Sequence, residues 1–285
     1  MTIAVFGATG ALGNLTIGAL LARGVAPADI RGLGRNAERL AALADKGVTT
    51  FAADLDDPST LAAPLQGAGE VLLISGSEVG KRLPQHQAAI DAAVAAGVRR
   101  ITYTSVVNAD TNPLMLAPEH KATEDYLAAS GLVTTILRNG WYTENFQSDF
   151  GAAQATGVVA NSIGETTLIT SAPRADFAEA AAIVLTSDGH DGKRYELTGD
   201  SAWTFPEFAA AASRVLGKPV EYKTITSDEE RAGLTAAGLP AGIVEMLASL
   251  NASIAEGALS LVTGDLSTLL GRPVTPIADT LASWV

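Results

Sequence analysis

Apolar and polar positions along the first half of the chain fall into two alternating kinds of run. Short, continuous apolar runs such as Ile3-Ala4-Val5-Phe6 have the pattern of strands buried on both faces. Longer stretches with helical spacing follow them, closed by glycine. The series predicts strands at Ile3–Phe6, Asp29–Arg35, Val48–Ala53, Val71–Ile74, Arg100–Val107 and Val133–Leu137. Between them it predicts helices from Leu12 onward and over Ala37–Lys46, Ser59–Gln66, Gln85–Ala96 and His120–Ala129. Asn36 is placed to cap the second helix and Gly47 to end it. The polar stretches Glu78–Pro84 and Asn108–Pro118 read as loops. A strand-then-helix alternation repeated in this way predicts an α/β fold, a doubly wound parallel sheet with right-handed crossovers.

Beyond residue 145 the pattern changes. Gly157–Ile169 reads as irregular structure or short strands, Asp176–Thr186 as a helix and Lys193–Leu197 as a further sheet strand. Thr204 with Glu207, and Ser227 with Glu230, have the spacing of capping boxes. Val220–Thr226 reads as a small strand and Ile277–Trp284 as the last helix. The expected division is a nucleotide-binding domain over 1–150 and a smaller α/β lobe, mainly 151–285, covering it. Elements near 173–200 are expected to return to the first domain.

Composition narrows the chemistry. The chain has no cysteine, which excludes disulfides, thiolate catalysis and zinc–sulfur sites and suits a reducing, cytoplasmic setting. A formal net charge of -12 and the lack of clustered Lys and Arg argue against nucleic acid. No apolar run reaches membrane-spanning length and no basic region precedes the first apolar run, so neither a membrane span nor a signal peptide is expected. No metal site is expected either.

The first strand runs straight into Gly7-Ala8-Thr9-Gly10-Ala11-Leu12-Gly13. Gly7 permits a sharp turn, Gly10 lets backbone N–H groups approach an anion, and Gly13 lets the helix close on its strand. The helix N-terminus then faces a diphosphate. At the end of the second strand a dinucleotide fold that binds the ribose diol carries an acidic residue. This chain has Gly34 and Arg35, which suit a 2′-phosphate and hence NADP(H), the alternative being a solvated surface arginine. Asp54 either accepts from an adenine amino group or caps the segment after it. Ser75, Gly76, Ser77 and Glu78, beyond the fourth strand, leave space for ribose and nicotinamide. Thr104 belongs to a run of hydroxyl residues late in the fifth strand. His86, on a predicted helix, reads as a surface or packing histidine.

The glycine spacing, Leu137-Arg138-Asn139-Gly140, Trp141-Tyr142-x-Glu144-Asn145 and the C-terminal lobe together resemble the NmrA-like atypical short-chain dehydrogenases. Within that family the chain is similar to bacterial NADPH-dependent quinone reductases. The stretches that carry this are Leu73-Ile74-Ser75-x-Ser77-Glu78-Val79-Gly80, Tyr103-Thr104-Ser105, Ala109-Asp110-Thr111, Leu116-Ala117-x-Glu119-His120 and Tyr195–Thr204. Triarylmethane dye reductases share the layout less closely. The resemblance implies a Rossmann-like sheet, an NADP(H) cofactor and hydride transfer to a quinone without flavin.

No Tyr-x-x-x-Lys pair is present: Val107 stands four residues after Tyr103 and Ser130 four after Tyr126. Where related reductases carry a lysine four residues before a helical glutamate, His120 precedes Glu124. His120, Asn145 and Tyr103 are therefore the catalytic candidates, His120 serving either chemistry or helix packing. Asn139, Gly140, Trp141, Tyr142 and Arg174 are expected around the cofactor. Trp141 and Phe146 either flank a flat ring or pack in the core. The expected partner is a small-molecule quinone or related electrophile, and a homodimer is compatible with the sequence. Two other readings share the scaffold: a reductase of triarylmethane dyes or related conjugated electrophiles, and a non-catalytic NADP(H)-sensing regulator.

Overall fold

A computed structural model describes all 285 residues. In chain order the regular elements are β1 (Ile3–Phe6), α1 (Ala11–Ala22), β2 (Ile30–Gly34), α2 (Ala37–Ala44), β3 (Thr49–Ala52), α3 (Ala62–Leu65), β4 (Glu70–Leu73) and α4 (Arg82–Ala95). They continue with β5 (Arg100–Val106), α5 (Ala117–Ala129), β6 (Val133–Asn139), β7 (Trp141–Tyr142), α6 (Gln147–Thr156), β8 (Val158–Asn161), β9 (Ile169–Ala172) and α7 (Arg174–Thr186). The last are β10 (Arg194–Leu197), β11 (Ala202–Trp203), α8 (Phe205–Leu216), β12 (Glu221–Thr224), α9 (Ser227–Ala236), α10 (Ala241–Ala255), α11 (Asp265–Leu270) and α12 (Ile277–Ala282).

Seven strands form one parallel sheet in the order β10-β6-β5-β4-β1-β2-β3. The order reverses between β1 and β4, and ligands of such sheets bind beyond the strand C-termini at that reversal. One apolar core, with Ile17, Leu20, Phe177 and Val184, joins α1 and α7 to one face of the sheet. A second, with Leu61, Ile90, Tyr103 and Leu127, joins α3, α4 and α5 to the other. A third core, around Phe146, Phe150, Trp203, Phe205 and Phe208, joins α6, β8, α8, α10 and α12.

Two helices begin earlier than their sequence suggests. α4 starts at Arg82 and α5 at Ala117, inside stretches read as loops because of Pro84 and Pro118. Both prolines lie in a first turn, where the missing N–H costs nothing. The second capping box is formed by Thr226 and Glu229, one residue before the Ser227–Glu230 pair that the spacing suggested. Glu230 is instead buried, accepting from Ser162 and Asn251. The predicted helix Ser59–Gln66 is broken into a tight turn, Pro58–Thr60, and the single turn of α3. No helix is long and apolar enough to cross a membrane.

Candidate active site

Beyond the C-terminal ends of β1 to β6 lies a cleft of about 570 Å3. It begins at the glycine turn. Gly7 takes a left-handed φ of 77°, and a Cβ on Gly13 would stand 2.2 Å from the Gly7 carbonyl oxygen. Helix and strand therefore close to a distance that only glycine permits. Gly10 is the N-cap of α1 without a side-chain cap, and the first turn carries no acidic residue. The backbone N–H groups there keep their partial positive charge for an anion. Gly7, Thr9, Gly10, Ala11, Leu12 and Gly13 all line this end. Ala8, expected among them, is fully buried beneath the turn.

Arg35 stands at the mouth with Asp54 and Glu78. Its guanidinium bonds Glu78 at 3.2 Å and lies 3.9 Å from Asp54. Gly34 lines the cleft, and a Cβ there would stand 2.6 Å from the Thr9 hydroxyl. Asp54 caps its own turn, its Oδ1 accepting the Asp56 N–H. A second guanidinium, that of Arg39 on α2, donates to the Thr9 carbonyl at 2.9 Å. These features fit a dinucleotide carrying a 2′-phosphate: a glycine cradle for the diphosphate and two arginines at the adenosine end.

The middle of the cleft is Ser75, Gly76 and Ser77 opposite Asn139 and Gly140. Gly76 donates its N–H to His86 Nε2 at 3.1 Å, and His86 Nδ1 lies 3.0 Å from the Thr123 hydroxyl. His86 is thus a satisfied packing histidine, though fully buried rather than at the surface. Thr104 does not reach the cleft; its hydroxyl accepts the Ser75 N–H at 2.9 Å and fixes that wall from behind. Gly140 approaches β10, where a Cβ would stand 2.9 Å from the Leu197 carbonyl. Asn139 is 5% exposed; its amide donates to the Tyr142 hydroxyl at 3.2 Å, and its Oδ1 is buried without a hydrogen-bond partner.

Arg82, assigned to a loop by its sequence, is a buried residue of the cleft wall. It donates to the Gly76 carbonyl at 2.9 Å and to Glu119 at 2.6 Å, while Glu119 also accepts the Gly80 N–H. Loop 76–80 is thereby tied to α5. No sequence signal marked Arg82, because a charged residue in an apparent loop reads as solvated. Ser105, also missed, lines the cleft and donates to Glu124 at 2.6 Å, which in turn holds Arg138 through two bonds.

At the far end stand His120, Trp141, Tyr142, Asn145 and Arg174. His120 Nδ1 lies 2.8 Å from the Tyr103 hydroxyl. Tyr103 itself is fully buried in the sheet's core, so it touches the cleft only through His120. Burial, reinforced by the positive charge of Arg82, lowers both His86 and His120 to about 3. Burial raises the Tyr103 phenol. With both groups neutral, the Tyr103 O–H is the donor of this bond in the tautomer that carries the His120 proton on Nε2.

Arg174 lies over the Tyr142 ring at 4.8 Å and donates to Asn145 Oδ1 at 2.9 Å, leaving the Asn145 amide N–H groups to other acceptors. Phe146, one of two rings expected to flank a flat ligand, packs edge-on against Trp203 at 5.0 Å, so Trp141 alone of the two borders the cleft.

A model of the NmrA-like family matches residues 1–259. Quinone oxidoreductase 2 of Escherichia coli is 45% identical over 280 residues, covering 98% of this chain and 97% of that protein. The crystal structure of the E. coli NADPH-dependent quinone oxidoreductase complexed with NADPH superposes with a TM-score of 0.94, over 99% of each chain. The Citrobacter sp. triphenylmethane reductase complexed with NADP(H) also gives a TM-score of 0.94, at 34% identity over the whole of both chains.

Proposed function

The chain belongs to the NmrA-like family, and from that premise we propose that it is an NADPH-dependent quinone oxidoreductase. The observation that carries this is one continuous cleft leading from a glycine turn to a buried histidine and a tryptophan. The near full-length relation to the E. coli quinone reductase supports the same reading. Bound in the cleft, NADPH supplies a hydride, so that the quinone is reduced by two electrons without a flavin.

The glycine turn and the first N–H groups of α1 hold the diphosphate, and Arg35 with Arg39 holds the 2′-phosphate. Asn139 and Tyr142 position the nicotinamide end. Trp141 borders the substrate and keeps water from one side of it. His120 Nε2–H and the Asn145 amide donate to quinone oxygens as these gain negative charge. A neutral imidazole already aligned by Tyr103 needs no reorganisation to do so. Protons reach the reduced oxygens from water, since neither His120 nor Tyr103 gives one up readily.

The lobe, mainly 151–285 without the segment that returns to the sheet, covers the acceptor. The reading includes a cytoplasmic protein whose net charge of -12 keeps it from nucleic acid. Association into a homodimer is the part of it that light scattering decides. The test of function is purified protein mixed with NADPH and a soluble quinone. Enzyme-dependent loss of the nicotinamide absorbance is expected, and no loss above the uncatalysed rate across several quinones overturns the reading.

A further inference from the structure

Behind Trp141 and Asn145 lies a second cavity, of about 450 Å3, which shares both residues with the cleft. α6, β8, α9 and α10 enclose it. Three rings line it, Trp141, Phe146 and Phe205, together with Leu234 of α9 and Leu247, Leu250 and Ile254 of α10. Its charged lining is of one sign. Asp149, Glu229 and Glu230 face it, and no Lys, Arg or His does.

The three carboxylates are not equivalent. Glu229 is occupied by the capping box with Thr226. Glu230 is 8% exposed and accepts from the Ser162 N–H, the Ser162 hydroxyl and the Asn251 amide. Asp149 has one long hydrogen bond, from the Asn161 amide at 3.4 Å, and no ion pair. Burial, with the charge of Glu230 adding to it, pushes its carboxyl up to about 6. At neutral pH it is still ionised, half-buried and without a compensating cation. The guanidinium that touches Asn145, Arg174, is already held by Glu144 and lies over Tyr142 on the cleft side.

A half-buried carboxylate without a cation, in a cavity bordered by aromatic rings, suits an organic cation, since the rings and the carboxylate both attract positive charge. We propose that this cavity seats a ring substituent of the acceptor and selects cationic substituents over neutral and anionic ones, with Asp149 as the specificity-determining residue. This rests on the quinone reductase reading for the adjoining cleft. It adds that acceptors bearing an ammonium group are favoured and sulfonated ones rejected.

The test uses probes that cannot be reduced: benzyltrimethylammonium, benzyl methyl ether and benzylsulfonate, titrated calorimetrically into protein saturated with NADP+. The cation is expected to bind about tenfold more tightly than the ether, with the sulfonate weakest. Asp149→Asn should bring the cation-to-ether ratio close to one. Glu230→Gln should change it less, because its oxygens are already bonded. Equal affinity for the three probes in the wild-type protein, or an unchanged ratio in Asp149→Asn, overturns the proposal. If that variant does not fold, the wild-type order decides alone. Failure of the reductase reading shows separately, as NADPH that is not oxidised by benzoquinone, because heat of probe binding does not depend on turnover.

Discussion

The Tyr103 hydroxyl lies 2.8 Å from His120 Nδ1, within hydrogen-bond distance, with both side chains buried. The bond joins the fifth strand of the sheet to the helix beside it and presents Nε2–H to the cleft. Tyr103→Phe removes that bond and keeps the ring's packing. A neutral hydrogen bond contributes about 0.5–1.5 kcal/mol, so kcat should fall by about two- to tenfold, with KM for NADPH unmoved. Steady-state kinetics with each substrate varied checks this; unchanged kcat removes the positioning role.

The same environment sets the pH behaviour. Because His120 lies near 3 rather than its ordinary 6.5, kcat should show no titration near 6.5. Stability should show one. Between about 3 and 6.5 the unfolded chain binds protons on His86 and His120 that the folded chain does not, so their contribution is full above 6.5 and lost as pH falls. Asp149, raised from 3.8 to about 6, acts in the opposite sense, giving stability at low pH that is lost as pH rises through that range. Two groups outweigh one, and the urea midpoint should be lower at pH 5 than at pH 7.5. An equal or higher midpoint at pH 5 contradicts the assignment.

Arg35→Ala should weaken NADPH far more than NADH. A charged hydrogen bond to the phosphate contributes about 1.5–3 kcal/mol, a loss of roughly tenfold to a hundredfold for NADPH alone. Calorimetric titration with both dinucleotides reads the difference, and equal losses contradict the 2′-phosphate role.

Two glycines of the first helix should respond oppositely to alanine. At Gly13 the new Cβ meets the Gly7 carbonyl at 2.2 Å, so Gly13→Ala should lower the melting temperature and abolish NADPH binding. At Gly18, exposed on the same helix, a Cβ meets nothing within 4 Å. Gly18→Ala should stabilise by about 0.5–1 kcal/mol and leave binding unchanged. Thermal melts with and without NADPH separate the two.

These contrasts show what the sequence makes legible. Period and glycine placement reveal the sheet, because strands buried on both faces, such as β1 and β4, are mostly apolar and the turn after β1 must be tight. The glycine turn and the residues after the sixth strand are local in sequence, so their place at the cleft can be read directly. Arg82 and Ser105 are not readable in this way, since their partners Glu119 and Glu124 lie 37 and 19 residues away. Tyr103 and Thr104 look like site residues by position, but Tyr103 is buried behind the cleft and Thr104 supports it from behind. The sequence pattern does not mark helices α6, α10 and α11. α10 leaves Ile243 and Met246 exposed, which blurs its apolar face.

The central claim is that a hydride passes straight from NADPH to a quinone held at His120 and Trp141. Single-turnover oxidation of NADPH deuterated at C4 on one face or the other, with benzoquinone and no added flavin, tests it most directly. The account predicts slower oxidation for deuterium on one face, an unaltered rate for the other, and no flavin spectrum in the purified protein. Rates insensitive to deuterium on both faces, or oxidation that requires added flavin, would contradict it.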